Sequence, residues 1–292
     1  MVLYSRLMAR VARFLGHASV SSGYQSSDPD TAFDTIADYE QHAADFERTI
    51  EAVHWNDKLG VYTDASAATG APTDDDAHVG YVSLFPLMLG VHDVRAACRT
   101  VGDGHDGGSD GDGGTDVGGS GNGAGDGSGG GSNSGSSSGG GGGTALRTLT
   151  RVARMLDVLE YGSALRSAHG VLSLARTDAY YGKDENYWRG PIWINMNYLL
   201  LGALRRIADD AAAAAAASTV ANERCAALAE RAARLHDELR GDVLRTVFGQ
   251  YEKRGSFWEQ YHPDTGAGQR SQPFTGWTAL AVLVRAGVYV RW

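Results

Sequence analysis

The chain has 292 residues, 42% of them hydrophobic, with six tryptophans and a formal net charge of −9. Six acids, Asp103, Asp106, Asp110, Asp112, Asp116 and Asp126, fall between Gly102 and Gly143, where there is no lysine or arginine, and setting them aside leaves −3 for the remainder. A near-neutral folded part offers no basic face for nucleic acid, and two cysteines supply neither a disulfide framework nor a CxxC metal site.

The opening MVLYSRLMARVARFLG is interrupted by Arg6, Arg10 and Arg13 and lacks the unbroken apolar core of a signal peptide. Leu3, Leu7, Val11 and Phe14 instead predict one apolar helix face. Asp28 is a good N-cap with Pro29 in the first turn. Beyond it Ile36, Tyr39, Ala43, Phe46, Ile50 and Val53 step by threes and fours through one long amphipathic helix. That helix stops at Asn56–Asp57, and Gly60 permits the turn into a short extended piece, VYTD. Another helix starts near Val82.

Residues 102–143 are nearly all Gly, Ser and Asp and have nothing to bury, which predicts disorder. Helical patterns flank the segment and neither side looks self-sufficient. It therefore reads as an insertion in a loop of one domain made of residues 1–101 and 144–292. Such lengthening costs only about 0.6 kcal/mol per doubling. A flexible linker between two domains is the other reading.

Further helices start near Leu146, Ile194 and Thr278. A clear one carries Cys225, Leu228, Ala232, Leu235 and Leu239 on one face, with Glu230 and Arg234 placed to pair one turn apart. The two cysteines are expected to be free thiols, with a single Cys98–Cys225 bridge left open. The last apolar run, Trp277 to Val290, is too short to span a bilayer and contains Arg285. There is no N-x-S/T acceptor. Seven or so helices and little strand signal predict an all-α fold.

The unusual residues collect in loops at helix ends: HWNDKLGVYTD (54–64), DDDAHVGYVSLFP (74–86), YYGKDENYWRGPIW (180–193) and GSFWEQYHPDTGAGQRSQPFTGW (255–277). In each, acids or amides sit beside aromatics. That pairing suits a carbohydrate, whose C–H faces lie on Trp or Tyr while polar groups bond its hydroxyls. Taken singly, each loop fits equally a helix end sealed by aromatics. Four of them at successive helix ends shift the reading toward one mouth. Glu259, between Trp258 and Gln260, is the sharpest candidate for general acid or base chemistry, because desolvation by aromatics would raise its pKa. Glycosidases need two carboxyls, roughly 6.5–9.5 Å apart in inverting enzymes. Asp184, Glu185, Asp74, Asp75 and Asp76 are possible partners, the Asp74–Asp76 run reading more simply as a solvated loop or cap. His54, His78 and His262 lack metal spacing and read as structural. There is no GxSxG elbow and no phosphate-binding loop in its required context.

Three segments, GYVSLFPLMLG, ENYWRGPIWINMNYL and FWEQYHPDTGAGQRSQPFTGWTAL, together resemble the C-terminal catalytic region of glycoside hydrolase family 63, that of the processing α-glucosidases I or mannosyl-oligosaccharide glucosidases. The resemblance covers nearly the whole chain apart from the Gly/Ser tract and the alanine run at 211–217. It implies an (α/α)6 toroid and an inverting hydrolase without cofactor or metal. The implied reaction removes the terminal α-1,2-linked glucose from a glucosylated high-mannose oligosaccharide on glycoprotein, in the endoplasmic reticulum. By motif, Glu259 matches the general base, and Trp188 and Arg189 match residues at the sugar mouth. Tyr187, Trp258 and Gln260 are expected to line the same pocket.

The chain departs from the family at the general acid. The family places an aspartate in a motif of paired acids, Pro and Arg just before a helix that corresponds here to Val2–Gly16, and no such motif occurs. The acid is then expected before Met1, together with a membrane anchor, an N-terminal β-rich domain and the first barrel helices. The chain reads as the C-terminal part of an incomplete toroid, weakly active alone and with apolar inner faces exposed. Two other readings stay open: a hydrolase of another small α-glucoside or α-mannoside, and a non-catalytic sugar-binding module.

Overall fold

The computed structural model describes residues 1–15, 35–74, 77–102, 141–218 and 222–290. Helix α1 (Val2–Leu15) precedes three copies of one local plan: a helix, a two-stranded antiparallel hairpin, a loop, a 3-10 turn and a second helix. The first copy is α2 (Ile36–Val53), β1 (Trp55–Asn56), β2 (Val61–Tyr62), a turn at Val82–Leu84 and α3 (Phe85–Met88). Helix α4 (Val94–Gly102) follows. The second copy is α5 (Gly141–Asp157), β3 (Arg166–Ser167), β4 (Gly170–Val171), a turn at Asn186–Trp188 and α6 (Ile194–Ala217). The third is α7 (Glu223–Arg254), β5 (Gln260–Tyr261), β6 (Gly268–Gln269), a turn at Trp277–Ala279 and α8 (Leu280–Ala286). The described residues are thus mostly helical, as the periodicity predicts.

Two isolated bridges link the copies through their loops, Gly80 with Leu174 and Ile192 with Tyr261. Ala175 donates its N–H to the Val79 carbonyl at 2.8 Å, Ser173 to the Pro191 carbonyl at 3.2 Å, and Ile192 and Tyr261 exchange both bonds at 2.9 and 3.0 Å. This backbone stitching, and not helix packing alone, brings the three loops to one place. It requires Gly80, where a Cβ would lie 2.3 Å from the Ser173 carbonyl oxygen. The buried Tyr81 hydroxyl completes the join. It donates to the Val171 carbonyl at 2.7 Å and accepts from the Trp193 N–H at 3.1 Å. Asn197, fully buried, bonds both the N–H and the carbonyl of Val171.

Helix α6 is apolar on nearly every side and is the central element, packed against α4, α7 and α8. The alanine run 211–217 continues it. In α7 the face Cys225, Leu228, Ala232, Leu235, Leu239 is buried as expected. One buried cluster takes Val94, Ala97 and Cys98 from α4 together with Leu149 and Val152 from α5.

Several expectations change. Helix α1 forms, but it buries Val2, Ser5, Ala9 and Ala12 while Leu7, Val11 and Phe14 stay exposed. Small residues let it lie close against α2, and bulk alone pointed to the wrong face. Helix α2 is capped at Thr35, whose hydroxyl accepts the Asp38 N–H at 3.2 Å while Asp38 accepts the Thr35 N–H at 2.7 Å. The Asp28–Pro29 start lies outside the described residues, as do 103–140 of the Gly/Ser/Asp tract, whereas Gly102 and residues 141–143 are helical. Arg234 pairs with Glu160 and Glu238 and not with Glu230. Cys98 and Cys225 are bridged, tying α4 to α7 with Cα atoms 6.0 Å apart.

Candidate active site at the loop mouth

The 3-10 turn at 186–188 and the hairpin β5–β6 meet at Glu259, which is 8% exposed. The Tyr187 hydroxyl donates to Glu259 Oε1, and the Ser271 N–H donates to Oε2 at 3.2 Å. The carboxylate's backbone is fixed as well. Its N–H bonds the Ser271 carbonyl at 3.1 Å, and its carbonyl accepts from Trp277 Nε1 at 2.8 Å.

These contacts reverse the expected electrostatics. The hydroxyl of Tyr187 first, then the Ser271 side chain and N–H and the nearby Arg270 charge, outweigh desolvation and hold the Glu259 carboxyl below the usual glutamate range. The same bond raises the Tyr187 phenol. A carboxyl with this character is a base at neutral pH and a poor proton donor, so the desolvation-driven rise expected from its aromatic flanks does not occur.

Trp188 is 48% exposed, and its ring stacks on Trp193 at 3.8 Å with planes 6° apart. Tyr187 stands edge-on to Trp193 at 4.7 Å, and Trp277 lies 5.3 Å beyond it. The result is a continuous aromatic block joined to the carboxylate through Tyr187: Trp193 is anchored by the core, and Trp188 presents the exposed indole. Such a face suits the C–H side of a sugar ring.

The other anticipated residues fall into supporting places. Gln260 is fully buried; in the orientation that satisfies its amide it donates to the Tyr187 carbonyl at 3.1 Å and accepts from Arg270 Nε at 3.0 Å. It joins the two lips from behind. Trp258 lies over Gly268, where a Cβ would come within 2.0 Å of the indole. Arg189 turns along the rim, bonding Asp184 Oδ2 at 2.8 Å with its guanidinium over the Tyr180 ring. Glu185 is engaged by Arg270, and Asp74 accepts from Asn56 Nδ2 at 2.7 Å in the first hairpin. Asp75 and Asp76 lie outside the described residues. The groups acting on the Glu259 carboxyl are therefore Tyr187, Ser271 and Arg270, and none is a second carboxyl.

His54 and His262 hold turns, through the Thr63 carbonyl at 2.9 Å and the Asp264 N–H at 3.1 Å; His78 pairs with Asp178. Among the described residues no group of three His, Cys, Asp or Glu could hold a metal ion. Arg270, Ser271, Trp193 and Trp277 were not singled out by the sequence. All four stand inside the two motif segments quoted above, which was the available signal.

Residues 146–287 match the C-terminal domain of glycosyl hydrolase family 63. The chain is 29% identical, over 99% of its own length and 26% of the relative's, to a probable mannosyl-oligosaccharide glucosidase of Schizosaccharomyces pombe. It is 40% identical, over 45% of its length and 15% of the relative's, to the mannosyl-oligosaccharide glucosidase of Saccharomyces cerevisiae. It thus spans about a quarter or less of these curated relatives. A crystal structure of a family 63 mannosylglycerate hydrolase from Thermus thermophilus aligns with 98% of this chain and 43% of its own, with a TM-score of 0.48 and 18% identity.

Proposed function

We propose that this chain, whose residues 146–287 match the C-terminal domain of glycosyl hydrolase family 63, forms the sugar mouth of an oligosaccharide glucosidase with Glu259 as general base. The observation that carries this reading is the Glu259 environment: a carboxylate kept ionised by Tyr187 and Ser271, with the exposed Trp188 indole 6.1 Å from the same Tyr187 ring. The two carboxylate oxygens offer about four acceptor positions, and Tyr187 with the Ser271 side chain and N–H take at most three, which leaves room for a water. That water gives a proton to Glu259 as its oxygen bonds the anomeric carbon, on the face opposite the leaving oxygen. The anomeric configuration inverts, and the leaving oxygen takes its proton from an acid.

That acid is not among Asp74, Asp184 and Glu185, which are bound elsewhere as described above. We assign it to a segment outside the described residues. The substrate class is a glucosylated mannose oligosaccharide with a terminal α-1,2-linked glucose, in line with the names of the relatives. The three helix–hairpin–helix copies are then consecutive units of an (α/α)6 ring. The Cys98–Cys225 bridge suits an oxidising compartment such as the endoplasmic reticulum lumen. Among the described residues no helix is long and apolar enough to cross a membrane.

The test is Glu259→Gln in a preparation that turns over an α-glucoside. Turnover should collapse while glucose still binds, and Trp188→Ala should weaken that binding. Retained turnover in Glu259→Gln would refute the assignment.

A further inference from the structure

The strand pairing of the β5–β6 hairpin breaks at its Glu259 end. Tyr261 pairs with Gly268 and Gln260 with Gln269, so the next residue in register with Glu259 is Arg270. Instead the Glu259 N–H bonds the Ser271 carbonyl at 3.1 Å. Two residues, Arg270 and Ser271, thus oppose one, and Arg270 has a φ of 66°. This is a β-bulge whose first residue is left-handed, a place that glycine usually occupies. An arginine there is strained, and such strain persists only where the surroundings hold it.

The bulge sets two things at once. It carries the Ser271 N–H to Glu259 Oε2, at 3.2 Å. It also sends the Arg270 side chain across the mouth to the turn that bears Tyr187. There Nη2 bonds Glu185 and, at 3.2 Å, Asn186 Oδ1. Nε donates to Gln260 at 3.0 Å, in the amide orientation given above. The guanidinium carbon lies over the Tyr187 ring, 5.5 Å from its centroid. The other donor to Glu259, the Tyr187 hydroxyl, therefore sits in the turn that Arg270 clamps.

We infer that Arg270 is the positioning residue of this mouth: it locks the 186–188 turn to the bulge, so that the Tyr187 hydroxyl and the Ser271 N–H meet on the Glu259 carboxylate. The inference rests on the proposed role of Glu259 and adds a residue that acts through Tyr187 and Ser271 and not on the sugar. A planar guanidinium suits the task. It presents donors in fixed directions to Glu185, Asn186 and Gln260 while its face lies over an aromatic ring, whereas a lysine ammonium supplies the charge without that geometry. The titratable groups acting on Glu259 are Tyr187 and Arg270, so substitution at one residue separates charge from position.

The test compares the 292-residue chain with Arg270→Gly and Arg270→Lys, by carbon-13 NMR titration of the Glu259 carboxyl and by melting curves. Glycine accepts the left-handed backbone, so Arg270→Gly should keep its melting temperature while the Glu259 midpoint moves upward, the sign of lost hydrogen bonds to the ionised form. Arg270→Lys, which retains the charge, should move it upward as well. In a preparation that turns over an α-glucoside, both variants should lower kcat, by up to about a hundredfold, with KM little changed. A wild-type midpoint in Arg270→Lys would show that charge alone suffices and would overturn the inference. A lowered melting temperature in Arg270→Gly with the midpoint unmoved marks a structural role and overturns it too. Both outcomes leave Glu259 as the base, an assignment that only retained turnover in Glu259→Gln removes.

Discussion

Two carboxylates in this molecule look alike at first sight and are built for opposite purposes. Glu259 and Glu51 each follow or end a long helix near a hairpin, each accepts a tyrosine hydroxyl, and each has an arginine and a tryptophan nearby. Glu51, on α2, accepts from Tyr62, is paired directly with Arg151 and has His92 Nε2 at 3.2 Å. The Arg151 guanidinium also lies 4.8 Å over Trp55. This cluster faces a cavity of about 860 Å3 between α2, α4 and α5. At Glu259 the arginine is spent elsewhere: Arg270 bonds Glu185 and Asn186 and acts on the carboxylate only at a distance. A charge neutralised by direct pairing holds a structure together. One kept ionised by a hydroxyl and a backbone N–H retains acceptor positions for water, and that decides which carboxylate can do chemistry, whatever the cavity sizes.

The comparison breaks most sharply on exchange to the amide. Glu259→Gln should cost about 10²–10⁴-fold in turnover, the range for a general base, with little change in melting temperature. Glu51→Gln should leave turnover within a few fold. Next in size is a pH effect on the Glu51 side. Burial first, then the Arg206 charge, lowers the His92 pKa from 6.5 to about 4 despite the opposing charge of Glu47. The side chain is 4% exposed, and Nδ1 has no partner among the described residues, so charging it would bury an unpaired N–H. A histidine whose folded pKa is lowered adds stability above its unfolded pKa and loses it as pH falls toward the folded value. Melting curves should therefore show roughly 3 kcal/mol lost between pH 6.5 and 4, and His92→Gln should flatten that loss.

Smaller is the stability cost of Glu51→Gln, about 1–3 kcal/mol by chemical denaturation, because Arg151 and Tyr62 lose a charged acceptor. Smallest is Tyr187→Phe, which removes the main donor to Glu259. The acidic limb of the pH–rate profile should move to higher pH, the sign expected when a base loses a hydrogen bond to its ionised form.

Much of this was legible in the sequence, and the gaps have physical causes. The helices announced themselves through apolar spacing, most clearly in α7, where one face is buried, and less fully in α2, where Tyr39 and Ala43 are buried and Phe46 and Ile50 half-buried. Of the hairpins only the Val61–Tyr62 strand was anticipated, in VYTD after Gly60; two-residue strands such as Arg166–Ser167 are too short to show alternation. Glu259 was marked by its aromatic neighbours. Its electrostatics were not, because the deciding donors come from Tyr187, 72 residues away, and Ser271, 12 residues away. Local context suggested desolvation, and tertiary hydrogen bonds reversed the sign. The Cys98–Cys225 pairing was hidden for the same reason, the partners being 127 residues apart. On α1, side-chain size pointed to one face, whereas close approach to α2 selected the small residues on the other.

The central claim is that Glu259 is an ionised base held so by Tyr187. The most direct measurement is a carbon-13 NMR titration of the Glu259 carboxyl in the wild-type chain and in Tyr187→Phe. The carboxyl should titrate below the ordinary glutamate value of 4.5 in the wild type and move upward in the variant. A wild-type midpoint at or above that value, or one indifferent to Tyr187, would contradict the account.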